Sequence, residues 1–181
     1  MLLSVQQRFI LDALKKLGCL RREQLLLLTR GRFQRQDFTL SDARMDAMLR
    51  QLRHCVAEFR WEGELVKLGS VVPKPERLEA INIMLELTGG VPLDFNARLK
   101  SPLLLQFTWG SSERETRPFT VALLPALDGV GLNLLQQYRR ARVIWLPGIA
   151  GMPEGLALPP KHFCAVQIEN GSHRFYGYNG P

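Results

Sequence analysis

The stretch DARMDAMLRQLRHC, Asp42 to Cys55, gathers Arg44, Arg50, Arg53 and His54 on one segment with helical periodicity. Turned at about 100° per residue, it sends Met45, Met48, Leu49 and Leu52 to one side, joined by Cys55. The opposite side carries Ala43, Ala47, Arg50 and His54, flanked by Gln51 and Arg44. A guanidinium presents a planar fork of N–H groups that fits phosphate oxygens and the O6/N7 edge of guanine. Alanines at 43 and 47 would let the helix axis approach a duplex closely, so that the longer side chains at 44, 50 and 51 could reach phosphates or base edges. His54 is counted with them on the same side, although its simpler reading is a solvent-exposed residue. RGRFQR adds Arg30, Arg32 and Arg35 around Phe33, and Arg21 and Arg22 extend the basic set. Against this stand Asp42 and Asp46 on the same helix and Glu62 and Glu64 further on, which a polyanion repels. The bland alternative for RGRFQR is a solvated connector with one anchoring aromatic.

Other chemistry is poorly supplied. Cys19, Cys55 and Cys164 form no C-x-x-C pair and are odd in number, which points to reduced thiols. His54, His162 and His173 have no ligand spacing to one another or to cysteine, so no metal site is expected. There is no phosphate-cradling P-loop and no G-x-S-x-G, and GVG at 129–131 is too short for a dinucleotide fingerprint. Catalysis and cofactors are therefore not expected.

The chain has 181 residues, 46% of them hydrophobic, and a formal net charge of +7. The charge is one-sided. Residues 1–77 hold 15 Lys and Arg against 9 Asp and Glu, whereas residues 78–181 hold 9 against 8. Such asymmetry points to polyanion binding by the first part. No apolar run approaches the roughly 20 residues that span a bilayer, and MLLSVQQRFI lacks the basic start and apolar core of a secretory signal. A cytoplasmic protein without a membrane partner is the expectation.

Around the basic segment the sequence sets out its supports. Ser4 caps a first helix with Phe9, Ile10, Ala13, Leu14 and Leu17 on one face, closed by Gly18. Cys19-Leu20 makes a very short strand, and Arg21–Thr29 a second helix. Arg30–Leu40 reads as a loop or a ragged helix end. Ser41 caps the third helix, with Asp42 in its first turn. Val56–Gly69 reads as a hairpin turned at Glu62-Gly63, with Trp61 facing Glu64, Phe59 facing Val66, Ala57 facing Leu68 and Glu58 facing Lys67. VVPKPER, Val71 to Arg77, is a natural linker and sets a boundary between domains at 1–70 and 75–181. The second domain opens with a helix from about Glu76 to Thr88. Strands LLLQFTW (103–109) and FTVALLP (119–125) follow, then a helix over Gly131–Ala141 and a strand RVIWLP. A Gly/Pro-rich loop over 147–160 leads to a last hairpin turned at Asn170-Gly171.

Helix, short strand, helix, helix and hairpin is the order of a winged helix, in which the third helix can enter the major groove. The phrases LDALKKLGCLRREQLLLL, RMDAMLRQLRHC and WEGELVKL resemble the N-terminal domain of replication-relaxation-type winged-helix proteins of bacterial plasmids and integrative elements. The resemblance covers roughly residues 4–69. The second domain resembles uncharacterised C-terminal domains attached to such winged helices, some of which look like a degenerate restriction-nuclease fold. An active nuclease needs carboxylates, usually with a lysine, on its strand ends, and neither LLLQFTW nor FTVALLP carries any. The expectation is an α+β chain: a winged helix-turn-helix domain at 1–70 and a small mixed α/β domain at 75–181. It implies a non-catalytic double-stranded DNA-binding regulator or accessory factor of a mobile genetic element. Homodimerisation through the second domain would place two recognition helices on one duplex. The competing reading is a winged-helix protein-interaction module without DNA binding. Both stay open at this level.

Overall fold

The computed structural model describes residues 2–34, 39–110, 115–123, 141–147 and 158–177. The class is α+β, with two compact units, Met1–Val91 and Pro92–Pro181.

The first unit runs α1 (Val5–Leu17), β1 (Cys19–Arg21), α2 (Arg22–Phe33), α3 (Asp42–Cys55), β2 (Phe59–Glu62), β3 (Leu65–Leu68) and α4 (Pro75–Thr88). Local chemistry sets the helix ends. The Ser4 hydroxyl accepts from Gln7 N at 3.1 Å while Ser4 N donates back to Gln7 Oε1 at 2.9 Å. The Ser41 hydroxyl accepts from Arg44 N. Gly89, left-handed at φ 59°, closes α4. The core brings together Ile10, Leu14 and Leu17 from α1, Leu25 and Leu28 from α2, Met45, Leu49 and Leu52 from α3, and Phe59 and Val66 from the hairpin, all essentially buried. The three strands form an antiparallel sheet in the order β1-β3-β2.

Three expectations are corrected in this unit. The hairpin turn lies one residue later, at Gly63-Glu64, and the register is Phe59↔Leu68, Arg60↔Lys67, Trp61↔Val66 and Glu62↔Leu65. Gly63 has φ 57° and takes the first loop position. Every pair thus moves by two residues, so the apolar face survives while each partner changes. Lys67 bridges Glu62 at 3.1 Å, in place of the expected pairing with Glu58. Second, the α2 helix continues through Arg30 to Phe33, which packs edge-on against Phe9 with ring centroids 5.5 Å apart. Third, the break between units falls after α4 and not at Val71–Arg77. Gln24, buried on α2, donates to Leu78 O at 2.7 Å and to Asn82 Oδ1 at 2.6 Å on α4. Gly31 lies against the Gly90 backbone so closely that a Cβ there would sit 2.1 Å from Gly90 O. The Pro-rich segment is a connector inside the first unit.

The second unit holds β4 (Asp94–Asn96), β5 (Leu103–Trp109), β6 (Arg117–Leu123), β7 (Arg142–Leu146), β8 (His162–Gln167) and β9 (His173–Gly177), which form one sheet in that order. β4, β5 and β6 pair antiparallel, β6, β7 and β8 parallel, and β9 returns antiparallel. One register row crosses the sheet as Phe95–Phe107–Phe119–Arg142. The Phe107 and Phe119 rings stack at 5.0 Å, and the Arg142 guanidinium lies 5.8 Å from the Phe119 centroid. Buried Leu103, Ala122, Val143, Trp145, Leu158 and Cys164 form a core cluster. Gly171, at φ 81°, turns the last hairpin as expected. The helix expected over Gly131–Ala141 and most of the Gly/Pro-rich loop lie outside the described residues.

Candidate nucleic-acid interface

The α3 helix buries Met45, Met48, Leu49 and Leu52 and exposes Ala43, Ala47, Arg50 and His54. These four follow one another at spacings of four, three and four residues, a nearly straight strip along the outward side. Arg44 is exposed on one flank and Arg53 on the other. Gln51 is half-buried, its Oε1 accepting from Gln7 Nε2 of α1 at 2.7 Å. It fixes α3 on α1, which limits how far its side chain can reach outward.

The α2 arginines divide in two. Arg22 and Arg30 are engaged with the start of α3. Arg22 Nε donates to Asp46 Oδ1 at 2.6 Å, and its two Nη groups reach Asp42 Oδ2 at 3.4 Å and Asp42 O at 3.3 Å. Arg30 Nη2 donates to Asp42 Oδ1 at 2.7 Å and its Nε to Leu40 O at 2.8 Å. The hydrogen bond to Asp46 leads the causes that push the Arg22 pKa above its ordinary value, so its charge is permanent. Arg21 is half-buried, and Arg32 is exposed in the last turn of α2. Arg35 lies outside the described residues. Arg21, Arg22 and Arg30 share a cleft of about 340 Å³ with Glu23, Leu26, Leu27, Asp42 and Glu64. Leu27, one of the four consecutive leucines, is 41% exposed there.

The structure therefore sorts the nine candidate contacts. Arg44, Arg50 and His54 share the exposed side of α3. Arg22 and Arg30 are paired to Asp42 and Asp46, and Gln51 is a brace. Arg53, grouped with the basic segment in the sequence but not counted among its contacts, joins this surface from an exposed position. The pairing of the α3 acids with α2 arginines spans 20 and 24 residues in the chain and has no local signal in the sequence. At the hairpin tip the Glu62 charge is offset by Lys67, and Glu64 is exposed.

In the second unit a cleft of about 300 Å³ opens over Asp94, Asn96, Gln106, Thr108 and Thr120, and among the described residues Asp94 is the one carboxylate that lines it. Burial pushes the thiols of Cys19 and Cys164 up, which keeps both protonated near neutrality and weak as nucleophiles. Among the described residues no group of three or more His, Cys, Asp or Glu is gathered to hold a metal, and no helix is long and apolar enough to cross a membrane. No protein-family model, no curated protein and no solved structure matches this chain.

Proposed function

We propose that the first unit is a winged helix that binds double-stranded DNA through the exposed side of α3, and that the chain is a non-catalytic regulator or accessory factor. The observation that carries the reading is the Ala43–Ala47–Arg50–His54 strip flanked by Arg44 and Arg53, all exposed on a helix whose other side is core. The element order and the β1-β3-β2 sheet suit that family of folds. The pairing of Asp42 and Asp46 with Arg22 and Arg30 supports the reading from another side: the acids on α3 are neutralised before a polyanion arrives. The service of a mobile genetic element is proposed on the resemblance to replication-relaxation-type proteins alone.

A role for the second unit in homodimerisation accords with Tyr176, exposed on β9, an edge strand of the sheet. A protein-docking function of the first unit is the second reading, favoured by the exposed Leu27 in the cleft beside Arg21. Selection of bound fragments from a random duplex pool separates the two. Enrichment of one motif supports DNA binding. Absence of retention of any duplex at about 50 mM salt, where phosphate contacts are strongest, rejects it in favour of a protein partner.

A further inference from the structure

We infer that Asp42 and Asp46 set the selectivity of the α3 face by withholding Arg22 and Arg30 from the phosphates of a duplex. The inference rests on the DNA-binding reading and adds a regulation of that same face. Two guanidiniums from α2 converge on the first turn of α3, where Asp42 accepts from both and Asp46 takes the closer bond of Arg22. Each guanidinium also donates to a backbone carbonyl at that turn, Leu40 O for Arg30 and Asp42 O for Arg22. The Asp42 side chain is 60% exposed, so its bonds to both guanidiniums lie at the surface, while the Arg22–Asp46 bond is partly buried.

A carboxylate and a phosphate present the same acceptor geometry to an arginine fork. Asp42 therefore occupies the partner position that a backbone phosphate would take. Sequence-independent affinity grows with the number of phosphates neutralised, and two arginines tied to internal carboxylates are two contacts fewer. Discrimination is a difference of affinities, and lowering the affinity for every sequence raises the share that base-edge contacts decide. Arg44 and Arg50 then contribute most where the bases suit them.

The test uses the full chain and a fluorescein-labelled duplex of mixed sequence, about 20 base pairs long, titrated by anisotropy between about 50 and 200 mM NaCl. Asp42→Asn keeps the side-chain shape and removes the charge. It is expected to bind the duplex more tightly, with the slope of log affinity against log salt steeper by about 0.9, on the order of a tenfold gain near 0.1 M salt. Asp42→Asn with Asp46→Asn is expected to steepen the slope by about 2. Adding Arg30→Ala to Asp42→Asn returns the slope to the wild-type value. Equal or weaker binding with an unchanged slope, together with a lower melting temperature, assigns the pairs to structure alone and overturns the inference. If the double variant loses its fold by circular dichroism, Asp42→Asn alone decides, since its exposed pairs contribute little to stability. Wild type that binds while Asp42→Asn is indistinguishable overturns only this inference. Failure of both to bind at about 50 mM salt overturns the DNA-binding reading with it.

Discussion

Gln7 and Gln51 meet across the α1–α3 interface, with Gln7 Nε2 donating to Gln51 Oε1 at 2.7 Å. Gln7 is 2% exposed, and its own Oε1 accepts from Ser4 N, so one amide both completes the cap of α1 and holds α3. Replacing Gln7 by leucine leaves the Gln51 amide without this partner inside the first unit. A part-buried hydrogen bond of this kind contributes about 1 kcal/mol. Gln7→Leu should lower the urea midpoint accordingly. A double-mutant cycle with Gln51→Ala should give a coupling of about 0.5 kcal/mol or more. Additive single effects would show that the two side chains do not depend on each other.

Gly31 tests the placement of α4. Glycine inside a helix is normally about 1 kcal/mol worse than alanine, so on propensity alone Gly31→Ala should stabilise. A Cβ at this position meets Gly90 O at 2.1 Å and Gly90 C at 2.7 Å, which are backbone atoms, and Val91 Cγ2 at 3.1 Å. Gly90 cannot retreat easily because its N–H is bonded to Leu85 O. Overpacking of about 1–3 kcal/mol outweighs the propensity gain, and the variant should melt at a lower temperature. A rise in melting temperature would mean that α2 and α4 are not in such close contact.

What the sequence disclosed and what it hid follow from how far each signal reaches. Ser4, Gly18, Ser41 and Gly89 act on their own backbone neighbours, and the helix ends they announce are where the structure has them. The strand LLLQFTW appears with the expected bounds because its apolar run is flanked by turn residues. The hairpin register slipped because a shift of two keeps every side chain on its face, so apolar pairing could not separate the alternatives. β4 is three residues long and too short to show a period. The true end of the first unit depends on Gln24 reaching Leu78 and Asn82, contacts 54 and 58 residues apart. The same holds for the candidate face. The exposed side of α3 was legible from its period, but Arg22 and Arg30 counted as DNA contacts until their acidic partners were placed beside them.

His162 gives a pH prediction for the second unit. Trp145 is fully buried and its indole Nε1 donates to His162 Nδ1 at 3.0 Å. Indole is a donor only, so this bond requires a lone pair on Nδ1 and a neutral imidazole. Burial lowers the His162 pKa from its ordinary value. In the unfolded chain the ring titrates near 6.5, so as pH falls below about 6.5 the unfolded state binds more protons than the folded one and stability declines. The contribution is intact above about pH 7, where both states are neutral. His162→Asn, whose amide oxygen can still accept from the indole, should flatten the urea midpoint between about pH 7 and 5. An unchanged dependence in this variant would place the acid sensitivity elsewhere.

The α3 face itself yields the last prediction. Arg44 and Arg50 are exposed, off the buried stripe of Met45, Met48, Leu49 and Leu52, and alanine suits a helix. Arg44→Ala with Arg50→Ala should therefore stay folded and bind DNA less well. The manner of the loss identifies the contact. If both arginines meet phosphates, affinity should fall for every sequence, and the slope of log affinity against log salt should flatten by about 0.9 for each, roughly 2 for the pair. If Arg50, in the middle of the outward strip, reads a base edge, Arg50→Ala alone should cost about 1–3 kcal/mol at the preferred site. Preference should then relax at one base pair, with the salt slope nearly unchanged. Anisotropy titrations at several salt concentrations, on a selected site and on single-base variants of it, measure both quantities. Wild-type affinity, slope and preference in the double variant would remove this side of α3 from the DNA interface, and the cleft around Leu27 and Arg21 would become the surface to test with protein partners.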